Sequence, residues 1–184
     1  MTEAYTLTGL RVFQLVDKPL RIAELIAATF GGIAMLIAMV MTSLDAVLRY
    51  AFNSPLSFNY HVTEKYLMVS MIALPLAWGF RTGGYIRITI LFGIIPRTTR
   101  DLMLRVGLIA SAAYIGVMAW LTAGHWYETW ERGDVTMGVI DWPVSWSWIW
   151  VPIGLALLSA RLFLTAVGPA GDLHSDDENE GHIA

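Results

Sequence analysis

The chain has 184 residues, of which 56% are hydrophobic and only 15% are charged. Soluble domains carry about 25% charged residues, so this composition indicates a protein that is partly in contact with lipid. The net charge is −3, no stretch is strongly basic, and cysteine is absent. These features argue against nucleic-acid binding and exclude disulfides and thiolate metal sites.

Residues 1–21 precede the first long apolar run. Apolar side chains recur there at helical spacing, with polar side chains between them, up to Pro19. We expect a short amphipathic helix that either lies flat on the cytoplasmic membrane surface or packs on a partner protein. The apolar run that follows is long enough to span a membrane, so we expect it to be retained rather than cleaved as a signal peptide.

Four apolar segments follow one another along the chain. A spanning helix needs about 20 mainly apolar residues, because the hydrocarbon core is ~30 Å thick and a helix rises ~1.5 Å per residue. Such segments are helical in lipid, so the predicted fold class is all-α. The second segment is the shortest and spans only if Lys65 and Arg81 extend to opposite head-group layers. The predicted transmembrane helices cover residues 23–48, 61–81, 102–126 and 145–168, within a domain at 22–168.

The basic residues predict the orientation of these helices. With the N-terminus inside, nine Lys and Arg residues lie on the cytoplasmic side and three, Arg49, Lys65 and Arg132, lie outside. This bias predicts that both termini are cytoplasmic. The acidic tail at 169–184 is expected to be disordered.

Small residues and one proline predict how the helices pack. Glycine, alanine and serine recur at four-residue spacing in helices 1 and 3, for example at Gly31 and at Ala112 with Gly116. Such ridges let helices approach closely in lipid. Pro75 lies well inside the second span and predicts a local kink.

Polar residues mark both ends of the first predicted helix. Glu24 follows Arg21 by three residues at the inner end, and we interpret the two as a solvated pair at the start of the helix. Asp45 and Arg49 lie four residues apart at the outer end, on one helix face where they can pair. We interpret this second pair as a structural clamp rather than a proton relay.

A further polar cluster, made of His61, Glu64 and Lys65, begins the second predicted helix. Its spacing places the three residues on neighbouring faces, and charged groups at a membrane edge usually pair or face a partner. His61 and His125 are weak evidence for haem, which needs two imidazoles that face each other. No P-loop, H-E-x-x-H or G-x-S-x-G motif occurs, so we predict no catalytic residue, no metal site and no enzyme activity.

The loop between helices 1 and 2 carries the most specific motif, which reads Arg49-Tyr50-Ala51-Phe52-Asn53-Ser54-Pro55-Leu56-Ser57-Phe58. It resembles the R-Y-x-F-N-x-P-L-S-[WF] signature of the small membrane subunit of tripartite ATP-independent periplasmic (TRAP) transporters, the DctQ-type family. Pro55 stops the helix, and Asn53 suits a left-handed turn geometry.

A second motif follows helix 2 and includes Arg81, Gly84 and Arg87. It resembles the family's R-x-G-G-H-I-R-V. The family often has one or two acidic residues just after the first motif, where this chain has Asn59, Tyr60 and His61. The histidine of the family's second motif is replaced by Tyr85, and a frequent aspartate soon afterwards is replaced by Thr89. These departures favour a structural role for the motifs over a role in ion coupling.

The resemblance implies a multi-pass subunit of a secondary active symporter in the bacterial inner (cytoplasmic) membrane. Its implied partners are a large TRAP membrane subunit, a periplasmic substrate-binding protein that delivers a carboxylate-type solute, and membrane lipids. It also implies no cofactor on this chain, with sodium coupling on the large subunit. We expect the chain to act as a scaffold for that subunit.

Two alternatives come from other classes of protein. One is a haem- or quinone-binding membrane anchor of a redox complex. The other is a small self-contained exporter built around Glu24. If the chain is a scaffold, we expect the substitution Glu24→Gln to have little effect on transport.

Overall fold

The computed structural model describes residues 2–53, 59–83, 97–136 and 142–168, apart from the side chains of 2–15, 60, 61, 97–101, 136 and 142. The second half of the first motif, from Ser54 to Phe58, lies outside this part of the chain. The same is true of Gly84, Tyr85, Arg87, Thr89 and the acidic tail. Expectations for those residues therefore stay predictions.

Helix α1 (Thr2–Phe52) is one continuous helix of 51 residues. The prediction of a separate short helix that ends at Pro19 is wrong, because Pro19 lies inside α1. A proline inside a helix removes one N–H donor and costs about 3 kcal/mol. Ion pairs from Asp17 to Arg21 and to Arg161 hold the helix on both sides of the proline and help to offset that cost.

The C-terminal end of α1 agrees with the prediction from the loop motif. The helix ends at Phe52, and Asn53 follows with a φ of 47°, in the left-handed region. Asparagine is one of the few residues other than glycine that adopt this conformation readily.

The second predicted span is helical but segmented. Pro75 interrupts it, which confirms the predicted kink. The 23 residues from Asn59 to Arg81 reach about 34 Å at ~1.5 Å per residue, enough to cross the hydrocarbon core. The segments are α2 (Asn59–Val62), a π-helix (Thr63–Leu67), α3 (Met68–Ala73) and α4 (Leu76–Arg81).

The rest of the described chain forms a helical hairpin. Its long helices, α5 and α7, agree with the third and fourth predicted helices, although α5 is longer at both ends. Between them a two-residue antiparallel ribbon pairs Val135 with Pro143. The elements are α5 (Arg97–Arg132), β1 (Val135–Thr136), β2 (Trp142–Pro143), α6 (Ser145–Trp148) and α7 (Trp150–Val167).

Three stretches within the described residues are long and apolar enough to cross a membrane: Val16–Phe52, Leu102–Arg132 and Ser145–Val167. Apart from the short ribbon, the described chain is helical, and three of the four predicted spans coincide with helices that have the length and hydropathy of a membrane crossing. The segment Asn59–Arg81 does not meet the same criterion, because none of its helices exceeds six residues.

The buried seam of α1 repeats every seven residues. Acidic residues occupy its ends and small residues its middle, in the order Asp17, Glu24, Gly31, Ala38 and Asp45. A seven-residue repeat keeps one face of a helix against its neighbour. This face of α1 packs on the segmented second helix and on α7.

Two glycines let α1 and α7 approach the kink at Pro75. A Cβ atom on Gly31 would lie 2.9 Å from Cδ of Pro75, and one on Gly154 would lie 2.1 Å from the carbonyl oxygen of Ala73. Neither position can accept a larger side chain without a shift of the neighbouring segment. The predicted small-residue ridge of helix 1 therefore contacts the second helix at Gly31.

Helices α5 and α7 pack closely along the ridge predicted in helix 3. Ser159 Oγ in α7 donates a hydrogen bond of 2.8 Å to the carbonyl oxygen of Ala112 in α5. A Cβ atom on Gly116 would lie 3.1 Å from the same hydroxyl. Ala112 also joins the buried apolar core with Leu158 and Leu162.

Candidate functional site

A buried cluster of charges lies where α1, α4 and α7 meet. Arg161 of α7 binds Glu24 of α1 in a two-pronged geometry, with Nε 2.5 Å from Oε1 and Nη2 2.8 Å from Oε2. The third guanidinium nitrogen, Nη1, donates to Oδ1 of Asp17 at 2.8 Å. The side chains of Arg161 and Glu24 are only 7% and 0% exposed.

Two more arginines complete this cluster. Nε of Arg81 lies 3.1 Å from Oε2 of Glu24, and Nε of Arg21 lies 2.6 Å from Oδ2 of Asp17. Both arginines are more exposed than Arg161, so their ion pairs are weakened by water. Three guanidinium groups and two carboxylates leave the cluster with a net charge of +1.

The cluster corrects the prediction for Glu24. The sequence suggested a solvated pair with Arg21, but Glu24 is fully buried and pairs with Arg161 and Arg81, while Arg21 pairs with Asp17. Removing one partner of a buried ion pair typically costs about 3–5 kcal/mol, because the other charge stays buried without compensation. Glu24→Gln is therefore expected to destabilise the fold, in contrast to the small effect on transport that the sequence led us to expect.

Sequence reasoning missed Asp17 and Arg161 as members of this site. A usable signal was present, because Asp17 and Glu24 lie seven residues apart, on the same helix face as Gly31. Arg161 also stands between apolar residues of α7, where an arginine needs a partner. The partner itself is not readable from the sequence, because it lies 137 residues away.

Near the C-terminal end of α1, the predicted pairing of Asp45 with Arg49 is confirmed. Nη2 of Arg49 lies 2.9 Å from Oδ2 of Asp45. The Arg49 side chain is 67% exposed, so this pair within one helix is worth only about 0.3–0.5 kcal/mol. Such a pair fits the interpretation as a local clamp.

The π-helix is held by contacts from β2 and α6. Ser147 Oγ donates a hydrogen bond to the carbonyl oxygen of Lys65. Tyr66 donates through its hydroxyl to the carbonyl oxygen of Pro143 at 2.7 Å. A π-turn leaves carbonyl groups in irregular positions and often marks a functional region.

The predicted polar cluster of helix 2 is only partly described. Glu64 and Lys65 both line one cavity, whereas the His61 side chain lies outside the described part. His125 contacts Trp148 edge to face, with ring centroids 4.6 Å apart. Glu64 and Lys65 thus share the wall of one cavity, and haem ligation by the two histidines gains no support from the contact of His125 with Trp148.

The described side chains include no group of three His, Asp or Glu residues that could hold a metal ion. The expected absence of a metal, a cofactor and catalytic residues on this chain stays a prediction.

An open apolar groove of about 1030 Å³ runs between α5 and α7. Eight of its fifteen lining residues are Ala, Gly or Ser, including Ala113, Ala123 and Ala156. Trp126 also lines the groove, and its indole nitrogen is buried without a hydrogen-bond partner among the described residues. Small residues of this kind are typical of surfaces on which another helix packs in a membrane.

A comparison with protein families decides the class of this chain. The family model for the DctQ component of tripartite ATP-independent periplasmic transporters matches residues 38–170. The chain belongs to the DctQ family. No curated protein and no solved structure matches it.

Membership of the DctQ family makes the chain the small membrane component of a TRAP transporter, and the resemblance seen in the two loop motifs is confirmed. The family is one of transporter components and not of enzymes. Such a component works with a large membrane subunit and a periplasmic binding protein. The matched range includes Arg81 and Arg161 but begins after Asp17 and Glu24, so the two carboxylates come from the part of α1 that precedes it.

Proposed function

We propose that this DctQ-family chain is a static scaffold for the large membrane subunit of its transporter. The transporter takes up a carboxylate-type solute from a periplasmic binding protein, and sodium coupling resides on the large subunit. The observation that carries the proposal is the small-residue groove between α5 and α7, on a set of helices whose inner ends are locked by buried ion pairs.

The locked inner ends favour a subunit that does not move during transport. Arg161 ties α7 to α1 through two carboxylates, and Arg81 ties α4 to the same carboxylate of Glu24. A sliding motion between these helices would have to separate buried charges, which is expensive in a low-dielectric environment. A rigid body of this kind gives the moving parts of the large subunit a fixed support.

The groove favours direct packing against a helix of the large subunit. The exposed face of α1 carries large apolar side chains such as Phe30, Leu36 and Val40, which suit contact with lipid tails. The groove instead offers alanines such as Ala113, Ala123 and Ala156, which allow a helix backbone to approach closely.

The same proposal includes a fourth crossing by Asn59–Arg81, with both termini in the cytoplasm. The arginines of the inner end support this orientation. Arg21, Arg81 and Arg161 share one cluster, and Arg105 donates to the carbonyl oxygen of Gly168 at 3.3 Å. Basic residues are retained on the cytoplasmic side of inner-membrane proteins.

Single cysteines test the orientation, because the chain contains none of its own. Lys18→Cys and Glu131→Cys change exposed residues near opposite membrane faces. In intact cells from which the outer membrane has been removed, an impermeant maleimide should label Glu131→Cys at once and Lys18→Cys only after lysis. Labelling in the reverse order would refute the orientation.

An uptake assay tests the scaffold function. Proteoliposomes should contain the large subunit with or without this chain, together with the binding protein and its carboxylate ligand. Uptake driven by a sodium gradient should be abolished or severely reduced without the chain. Full uptake by the large subunit alone would exclude a scaffold role.

A matched pair of variants tests the docking surface. Ala156→Trp fills the groove, whereas Ala46→Trp adds the same side chain to an exposed position of α1. The groove variant should lose co-purification with the large subunit, and the α1 variant should keep it. Equal behaviour of the two variants would move the docking surface away from the groove.

A further inference from the structure

A cavity of about 260 Å³ lies beside the π-helix, at the outer end of the molecule in the orientation proposed above. A single water needs only about 10–15 Å³ of such space, so the cavity can hold a group of several non-hydrogen atoms. Its walls combine charged and apolar side chains, namely Glu64, Lys65, Val69, Ser147, Trp148 and Val151.

Glu64 contributes to the cavity wall a carboxylate of which one oxygen has no partner. Its Oε2 atom is buried and has no hydrogen-bond partner among the described residues. Taking a carboxylate oxygen out of water without a partner is costly, so a cationic group bound beside Glu64 would stabilise this carboxylate. A cationic group with N–H donors is the chemistry that supplies such stabilisation.

Lys65 lines the same cavity but does not supply that stabilisation. Consecutive residues of a helix do not face each other, and no ion pair joins Lys65 to Glu64 in the part of the chain that the structure describes. The Lys65 side chain is exposed, so its ammonium group is available to an anion. The cavity is therefore lined by one carboxylate and by one ammonium-bearing side chain, a combination that suits a zwitterion.

The remaining walls favour a zwitterion that is attached to a lipid. Val69, Val151 and Trp148 are apolar, and Trp148 is held edge to face against His125. The hydroxyl of Ser147 is already used as a donor to the Lys65 carbonyl oxygen. Tryptophan at the end of a membrane helix is typical of the head-group layer.

We propose that this cavity binds the headgroup of phosphatidylethanolamine, with the ammonium group on Glu64 and the phosphate on Lys65. The apolar walls then contact the glycerol and the first methylene groups of the lipid. The proposal does not depend on the transport function, because it rests on the cavity alone.

Native mass spectrometry of the delipidated full chain in detergent tests this site. Phosphatidylethanolamine, phosphatidylcholine, phosphatidylglycerol and free phosphoethanolamine are added separately. Phosphatidylethanolamine should bind best, because the choline ammonium has no N–H donor and the glycerol headgroup has no cation. Free phosphoethanolamine should bind much more weakly than the lipid; equal binding of the two would reject a lipid site.

Two carboxylate variants give the matched comparison. Glu64→Gln should weaken phosphatidylethanolamine binding on the order of tenfold, the usual effect of losing a hydrogen bond between charged groups. Glu128→Gln, at an exposed outer glutamate paired with Arg132, should leave it unchanged. An equal effect of both variants, or a Glu64→Gln loss that is the same for every lipid, would overturn the proposal.

A second residue keeps the test independent of any folding defect in Glu64→Gln. Lys65→Gln changes an exposed side chain and should weaken phosphatidylethanolamine and phosphatidylglycerol alike, through the phosphate they share. Unchanged binding of both lipids would reject the phosphate contact. If Glu64→Gln instead releases the large subunit from the complex and leaves lipid binding intact, the occupant is a basic side chain of that subunit and the lipid proposal fails.

Discussion

Gly154 is the position at which a single methyl group should disturb the fold most directly. A Cβ atom there would lie 2.1 Å from the carbonyl oxygen of Ala73, and ordinary van der Waals contact begins at 3.4 Å. The substitution Gly154→Ala therefore has to separate α7 from the second helix by about 1.3 Å, the difference between these two distances. The obstacle is a backbone atom, which cannot move away by rotation of a side chain.

The expected loss of stability is about 1–3 kcal/mol or more, the usual range for overpacking. It opposes a gain of up to about 1 kcal/mol, because alanine favours a helix more than glycine does. The thermal midpoint of unfolding of the purified chain in nanodiscs, followed by far-ultraviolet circular dichroism, should fall by several degrees. The variant should also associate less well with the large subunit, since the shift reaches the helix that forms one side of the groove.

Gly32→Ala is the matched control for this experiment. Gly32 lies in α1, beside the tightly packed Gly31, but a Cβ atom on Gly32 would meet nothing within 4 Å. Its replacement should leave the midpoint unchanged or raise it slightly through helix propensity. If Gly154→Ala has the same thermal midpoint as Gly32→Ala, α7 does not pack as closely on Ala73 as described here, and the reasoning is refuted.

Two further substitutions test the contacts that join the helices. Arg161→Met should cost about 3–5 kcal/mol in the free energy of unfolding in detergent, because it leaves Glu24 and Asp17 buried without their main partner. Adding Glu24→Gln should recover part of that loss, and a further fall in stability would contradict the cluster. Tyr66→Phe removes the hydroxyl that donates to the Pro143 carbonyl oxygen and should lower the free energy of unfolding by about 1 kcal/mol; an unchanged value would show that this bond contributes nothing.

Features that depend on neighbouring residues could be predicted from the sequence. The apolar runs predicted three helices that have the length and hydropathy of a membrane crossing. Pro75 predicted the interruption in the helical segment between the first two of these helices. The pair of Asp45 with Arg49 was readable because both residues lie on one helix face. The left-handed geometry of Asn53 was readable for a similar reason, since it depends on the type of residue at the end of a helix.

Local patterns also produced the two wrong predictions in the N-terminal half of α1. Pro19 was expected to end a helix, because proline is unfavourable inside one. Glu24 was assigned to Arg21, the nearest opposite charge in the sequence. Both expectations failed for one reason, because Arg161 of α7 binds Asp17 and Glu24, which lie on either side of Pro19.

The sequence by itself determined that the chain is a helical membrane protein and where its apolar helices lie. Its loop motifs also indicated the family to which it belongs. Those properties follow from composition and from spacing along one helix. Only the tertiary structure decided which charges meet between α1, α4 and α7, where α7 contacts the interruption at Pro75, and which surface stays open as a groove. Arg161 lies 137 residues from Glu24 and 144 from Asp17. Contacts over such separations depend on the rotation and depth of each helix relative to the others, and no local pattern specifies these.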